Sequence, residues 1–450
     1  MQLSATELAP VCPTPPAAAL PRLRTFVSPL TGVVRTIDET LAAPDEQRLV
    51  GFTCGLADGE RIVGAPVERH AASENVARDA AEAASIGEAL ERYSASFVPA
   101  NRLVVRPASR LRGAVDPRRF ALFHESQYAN PLFPFRPFGP DTAVSWVAGI
   151  ELPGCAPAYL PAQLVFFAWG LGRSPADAQI AYTTSSGLAC APTFEEAILA
   201  GLLEQIERDA VMLTWYDRLS LPLLDWSRDP ELARIDARYF APTGLRYSAV
   251  DLTVFLGVPT VLGIVHGTPG ELAALGVGGA AAPTVGIAWR KALSEAFAVR
   301  RWVRDQALER PHDLDLVPEE IRGFDGHTLF YAHPDQAARA GFLDSSPERR
   351  DTREIAHLRG SNVLERIEAV CAELARRRVS AYAVDVTSPD VRIAGFRVAR
   401  VIAPELCQLD VVERARFLGG TRLYEAAYEA GLTGRPLTPS ELNPDPHPFP

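Results

Sequence analysis

The chain has 450 residues, 47% of them apolar and 22% charged, with a formal net charge of −10. That is enough apolar material for a large core and too much for a disordered chain. The acidic balance excludes a nucleic-acid binder working through a basic face. No stretch reaches the roughly 18 unbroken apolar residues of a membrane span; the nearest, 160–171, is interrupted by Pro161 and Gln163. The N-terminus lacks a cationic segment followed by an apolar one, so no secretory signal is read. Six scattered cysteines with no close pair suggest neither a metal knuckle nor a disulfide framework, which points to a reducing cytoplasm.

In chain order, residues 1–24 are rich in Pro and Ala and predict a flexible lead. The run from Ser28 to Val34 reads as a turn entering a strand. After Ser73, residues Val76, Ala80, Ala83, Gly87, Leu90 and Tyr93 fall near helical spacing and predict a long helix ending before Pro99. From 100 to 183, prolines and aromatics mix without a clear period. A second long helix is predicted over Phe194–Tyr216, and 247–265 is strand-rich, punctuated by Gly257 and Pro259. The small residues 276–281 read as a tight turn before a third helix over 285–307. A helix over 364–377 then precedes β-patterned runs at 380–387 and 396–403. A Pro-rich tail begins at Pro436. Long helices alternating with short β runs, with no interior linker and no repeat, indicate an α/β (α+β) fold.

Lys291 is the only lysine among 45 basic residues. It is preceded by Arg290 and followed by Ala292, so it cannot complete a phosphate-binding P-loop, and it lies in a helical pattern rather than on a kinase-type strand. Any use of ATP must take another route.

One pattern occurs twice. Glu88-Ala-Leu-Glu91-Arg92 lies in the first long helix, and Glu204-Gln-Ile-Glu207-Arg208 in the second. On a helix, both carboxylates of a Glu-x-x-Glu-Arg step project from one face, with the arginine one turn after the first. Carboxylate oxygens suit Mg²⁺, which takes one or two of them together with phosphate oxygens, and an adjacent guanidinium grips a phosphate bidentately. Either segment alone is more readily a solvated surface pair worth a few tenths of a kcal/mol. Both, however, sit among apolar and small residues. Buried carboxylate pairs without a counter-cation are costly, and a shared metal–nucleotide complex would relieve that cost.

The stretch from Ala84 to Tyr93 resembles the first signature of the YcaO family. Ser185-Ser186-Gly187-Leu188-Ala189, with Glu196-Ala197 and 203–210, resembles its second. Gly279-Ala280-Ala281, with Lys291 to Ala296 and Arg300, resembles its third. The opening 28–34 and Arg400-Val401-Ile402-Ala403-Pro404 also match, so the resemblance spans 28–450.

The resemblance implies a single large YcaO-type catalytic domain over 25–440, with long helices on mixed β-sheets and a non-P-loop ATP site. It implies ATP and Mg²⁺ as cofactors, with Glu88, Glu91, Glu204 and Glu207 as metal ligands. Arg92 and Arg208 would lie at the phosphates, with Ser186, Arg300, Ser85 and Glu295 completing the nucleotide pocket. Ser186, Ala191 and Ala298 depart from the usual signatures, and Ala84 takes the place where the first signature has its serine, leaving Ser85 offset by one.

The tail 441–450 alternates proline as Pro444-x-Pro446-x-Pro448-x-Pro450. It is either a solvated polyproline segment or a low-entropy strand that carries a carboxylate into a cleft. A terminal Pro-x-Pro-x-Pro resembles the azoline-forming cyclodehydratases of thiazole/oxazole-modified microcin pathways. By that resemblance the chain converts Cys, Ser or Thr of a ribosomal precursor peptide into thiazoline or oxazoline, with Pro450 or His447 as proton acceptor. It also implies a separate leader-peptide-binding partner, a flavin-dependent dehydrogenase acting downstream, and a homodimer. Thioamide or amidine chemistry, or a non-catalytic nucleotide-binding scaffold, stand as alternatives.

Overall fold

The computed structural model describes residues 14–43, 45–65, 67–167, 177–268, 270–309, 314 and 316–450. Three sheets organise them. The first is an antiparallel meander of β1 (Val34–Thr40), β2 (Val50–Leu56) and β3 (His70–Asn75). The second is a six-stranded antiparallel sheet. Its path runs through β4 (Leu103–Pro107), β5 (Ala143–Leu152), β13 (Ala381–Asp385), β14 (Arg397–Ile402) and β7 (Leu188–Ala191), while β6 (Ala156–Pro161) also pairs with β5. The third, mixed sheet has the order β11 (Leu275–Ala281), β10 (Thr260–His266), β9 (Arg246–Asp251), β8 (Leu223–Asp225) and β12 (Arg349–Asp351), with β12 parallel to β8.

The predicted helices are present. They are α2 (Arg78–Ser96), α3 (Phe194–Tyr216), α4 (Val285–Glu309) and α5 (Val363–Arg376). Helix α3 begins at a capping box, Thr193 with Glu196, and then runs between two sheets, touching β14 and β7 on one side and β11 and β10 on the other. This explains its weak amphipathicity, since a helix enclosed by sheets has no face to leave polar. Helix α2 packs on β2 and β3 and also meets β7 and β14.

Two expectations are corrected. The lead is not flexible throughout: Pro16–Leu23 forms helix α1, which buries Ala19, Leu20 and Leu23 against α2, while residues 1–13 lie outside the described residues. Its prolines occupy the first turn and one interior position and leave the apolar stripe intact. Residues 276–281 are not a turn but most of the buried edge strand β11. Its glycines let α4 lie directly on the strand. A Cβ on Gly276 would meet the Ala296 carbonyl oxygen at 2.3 Å, and one on Gly278 would meet the Ala296 nitrogen at 2.5 Å.

Strand β7 packs against both glutamate-bearing helices, and the residue before it sets its entry. Gly187 has φ +83°, and a Cβ there would stand 2.2 Å from the Val401 carbonyl oxygen. Its own carbonyl accepts from the Val401 N–H at 2.8 Å. Gly187→Ala is therefore expected to destabilise the protein by at least about 1–3 kcal/mol, measured as a lowered denaturant midpoint at unchanged slope.

Candidate active site

The two Glu-x-x-Glu-Arg segments face one another across the start of β7. From α2, Glu91 accepts the Cys190 N–H at 2.7 Å; from α3, Glu204 accepts the Gly187 N–H at 3.2 Å. Burial, the nearby Glu88 and then Glu204 push the Glu91 carboxyl well above the usual carboxylate range. Glu88 is pinned by its own arginine: Arg92 donates to Glu88 at 2.7 Å and to Glu68 at 2.5 Å, and the Ala72 N–H donates to Glu88 at 3.2 Å.

A third helix contributes as well. Glu295 of α4 accepts the Gly279 N–H of β11 at 2.7 Å. Glu207 packs beside the same glycine, whose Cβ would lie 3.2 Å from its Cγ. Burial raises both Glu207 and Glu295, each held back mainly by Arg208. Arg208 is the hub of this half. Its guanidinium lies 3.6 Å from Glu204 and 3.5 Å from Glu207, donates to the Pro450 main-chain oxygen at 3.0 Å, and sits 4.5 Å from the Phe449 ring centroid. Its buried Nε makes no hydrogen bond among the described residues.

The tail enters the core instead of trailing in solvent. His447 and Phe449 are buried. The Trp215 indole donates to the Asp445 carbonyl at 3.0 Å, the Tyr331 hydroxyl donates to that of Pro446, and Arg339 pairs with the Asp445 carboxylate at 2.6 Å. Both His447 nitrogens have main-chain partners: Nε2 lies 2.8 Å from the Asp410 carbonyl and Nδ1 accepts from Phe449 N–H at 3.3 Å. The ring stacks on His327 at 4.0 Å between centroids. Burial lowers His447 to about 4, so it is neutral at pH 7. These contacts make it a pin for the tail, and Pro450 is the tail residue that reaches Arg208.

Other predicted residues fall elsewhere. Ser85 is fully buried, with its hydroxyl at 3.3 Å from the Ala71 carbonyl and 3.1 Å from the Cys54 sulfur. Arg300 is buried beside Glu271 at 3.4 Å, with Nε lacking a partner, and has no ion pair with the four signature glutamates or Glu295. Ser186 is buried in the loop just before Gly187. Sequence reasoning gave Lys291 and Arg400 no role in the site. Lys291 lies one turn before Glu295 and lowers both Glu295 and Glu207, a link visible in the i,i+4 spacing. Arg400 of β14 is buried near Glu204.

Among the described residues, no three His, Cys, Asp or Glu side chains stand close enough to hold a metal ion unaided. The expected four-carboxylate cage is thus not closed; the acids form two facing halves. That donor set still fits Mg²⁺ with a triphosphate: all the donors are oxygens, the buried carboxylates repel one another, and one or two of them suffice where phosphates complete the octahedron.

A family model described as YcaO cyclodehydratase, ATP- and Mg²⁺-binding, matches residues 75–407. The chain belongs to the YcaO family. Solved structures share its fold, among them the following three. A heterocyclase in complex with substrate and cofactor superposes with a TM-score of 0.82 at 23% identity, covering 100% of this chain and 59% of that one. YcaO from Methanopyrus kandleri, bound with AMPPCP and Mg²⁺, gives 0.61 at 19% identity, covering 88% and 92%. The E. coli microcin synthetase McbBCD complex gives 0.60 at 12% identity, covering 92% and 96%. A curated relative from Methanothermobacter thermautotrophicus is 28% identical over 199 residues, 44% of this chain and 48% of its own length. This YcaO chain therefore spans about half of that relative and under two thirds of the heterocyclase. ATP and Mg²⁺ are the family's cofactors. Among the described residues, no helix is long and apolar enough to cross a membrane.

The acid-rich ground under the tail titrates. Burial raises Glu413 from 4.5 to about 7, opposed by Arg416 at 3.3 Å, and its Oε2 is unpartnered. A carboxyl whose pKa is raised on folding binds more protons folded than unfolded, so it withdraws stability as pH rises from about 4.5 to 7. Glu413→Gln is expected to flatten that part of a plot of melting temperature against pH.

Proposed function

We propose that this chain is an ATP- and Mg²⁺-dependent cyclodehydratase that converts Cys, Ser or Thr of a ribosomal precursor peptide into thiazoline or oxazoline. The observation that carries the reading is the arrangement, across β7 and β11, of Glu204, Glu207 and Glu295 about Arg208, with Glu91 facing them from α2 and the tail's Pro450 on the same guanidinium. Glu88, Glu91, Glu204 and Glu207 are the acids that would hold Mg²⁺. Arg92 and Arg208 would meet the phosphates, and Ser186 and Glu295 would border the nucleotide. When bound, ATP supplies a phosphoryl group and Mg²⁺ neutralises its charge.

In the reaction, the side-chain sulfur or oxygen of the peptide bonds to the preceding carbonyl carbon and gives up its proton. The former carbonyl oxygen accepts the phosphoryl group, and the C–O bond then breaks with loss of phosphate and the amide proton to leave C=N. Arg92 and Arg208 stabilise charge that develops on the transferred group. We assign Pro450, through its carboxylate beside Arg208, to accept the proton of the attacking group. His447 holds the tail that carries it. Ser85 would act at a remove by holding α2 on β2 and β3, and Arg300 by its place beside Glu271. The tail favours azoline formation over thioamide or amidine chemistry, and the complete acid and arginine set disfavours a scaffold. The E. coli neighbour is a multi-protein complex, in line with a separate leader-binding partner. A downstream flavin-dependent dehydrogenase, a homodimer and a cytoplasmic location complete the proposal.

Synthetic peptides with Gly-Cys, Gly-Ser and Gly-Thr steps, and any short Cys/Ser/Thr-rich open reading frame beside the gene, are the substrates to try. Mass spectrometry separates the readings: loss of one water per ring marks an azoline, exchange of oxygen for sulfur a thioamide. Glu204→Gln is expected to abolish peptide-dependent ATP turnover; undiminished turnover contradicts the metal assignment. Removing Pro450 alone, with Phe449 kept in its pocket, is expected to leave nucleotide affinity unchanged and lower ring formation by about 10²-fold, the scale of a lost general base.

A further inference from the structure

Beside the Gly187 loop, between β14 and the segments 120–122 and 182–184, lies a cavity of about 30 Å³ that no role above uses. Its polar wall is Arg400, Gln205 and Thr184; its apolar wall includes Phe120, Tyr182 and Phe417. Space of this size suits a few non-hydrogen atoms, not a nucleotide.

Arg400 is the unusual member. It is 5% exposed, and a buried guanidinium is ordinarily paired with a carboxylate. Here Nε donates to the Leu164 carbonyl at 3.1 Å and Nη1 to the Thr184 carbonyl at 2.8 Å. Among the described residues no carboxylate pairs with it and Nη2 has no acceptor. Burial lowers it to about 10, still protonated at neutral pH, with Glu204 the charge that opposes this shift. Register explains its position: Arg400 lies opposite Leu188 on β7, one residue from Gly187, whose N–H holds Glu204. Gln205 completes the link, its Nε2 lying 2.7 Å from where a Gly187 Cβ would stand. A fixed cation, neutral carbonyl partners and a small polar-aromatic hollow form a preorganised donor for a developing oxyanion.

We propose that this cavity receives the peptide amide to be activated, and that Arg400 stabilises its oxygen as the attacking side chain turns it into an oxyanion. The inference rests on the cyclodehydratase reading. It adds the step before phosphoryl transfer: sulfur or oxygen bonds to carbon, and the carbonyl π electrons move onto the oxygen facing Arg400.

The test compares wild type with Arg400→Gln and Arg400→Lys, using the Gly-Cys peptide as substrate and AMPPCP with Mg²⁺ as the binding probe. Arg400→Gln is expected to lower kcat about 10²-fold, the scale of a lost oxyanion donor, with KM and nucleotide affinity within about twofold of wild type; Arg400→Lys, which keeps the charge, recovers part of kcat. An unchanged kcat overturns the assignment, as does a loss of nucleotide affinity that accounts for the whole effect. If Arg400→Gln does not fold, Gln408→Trp fills the same cavity from its partly exposed wall. A peptide KM raised at least about fivefold, with nucleotide affinity unchanged, then supports the proposal, and an unchanged KM overturns it. If wild type forms no azoline with any peptide, it is the cyclodehydratase reading that fails. The cavity is then judged in bromide-soaked crystals, where bromide against Arg400 sustains an anion pocket and water alone overturns it.

Discussion

Several carboxylates and two arginines must share ground where an isolated charge is expensive. Moving an ion into a protein interior costs several kcal/mol even after relaxation, and removing one partner of a buried pair costs about 3–5 kcal/mol. The structure meets this cost from two directions. Arg92 and Arg208 supply positive charge, and main-chain N–H groups at Gly187, Cys190 and Gly279 each take one carboxylate. The compensation is incomplete, since burial leaves Glu91, Glu207 and Glu295 shifted upward. A cluster of reluctant acids is electrostatically ready for a divalent cation and its phosphates.

Much of the backbone serves this juxtaposition. Helix α3 lies between two sheets so that its acids can meet β7 on one side and β11 on the other. Strand β11 is made of small residues so that α4 approaches closely enough for Glu295 to reach Gly279. Gly187 adopts a left-handed conformation in contact with Val401, which brings the loop that holds Glu204 to the edge of the central strands. Asp209, next to Arg208, binds Arg422 through both carboxylate oxygens and so fixes the α3 face just beyond the site. Function and packing are inseparable on that helix.

The tail belongs to the same economy of order. Alternating prolines restrict the chain before folding, so seating it costs little backbone entropy. Trp215, Tyr331, Arg339 and Asp410 then hold successive residues, and the Phe449 ring closes against Arg208 and Gly279. Composition alone leaves a proline-rich end equally consistent with a solvated strand; what distinguishes this one is a set of partners drawn from four other parts of the chain.

Local pattern carried a good deal. The 3.6-residue period placed α2, α3, α4 and α5 to within a few residues, because a helix face repeats at a spacing that a single segment displays. The two Glu-x-x-Glu-Arg steps were legible for the same reason, and the lone lysine ruled out a P-loop. Strand β11 was missed because glycine and alanine lack the β-branched signature of a strand; their role is to admit α4. Helix α1 was missed because its prolines read as disorder while the Ala19, Leu20 and Leu23 stripe acquires meaning only against α2. The sequence by itself thus determined which residue types could bind a metal–phosphate group and on which helix faces they lie. Only the tertiary structure decided that Glu91 and Glu204 meet across β7, that Pro450 reaches Arg208 and that Arg400 goes without a carboxylate, since contacts between residues a hundred or more positions apart are set by how sheets and helices pack.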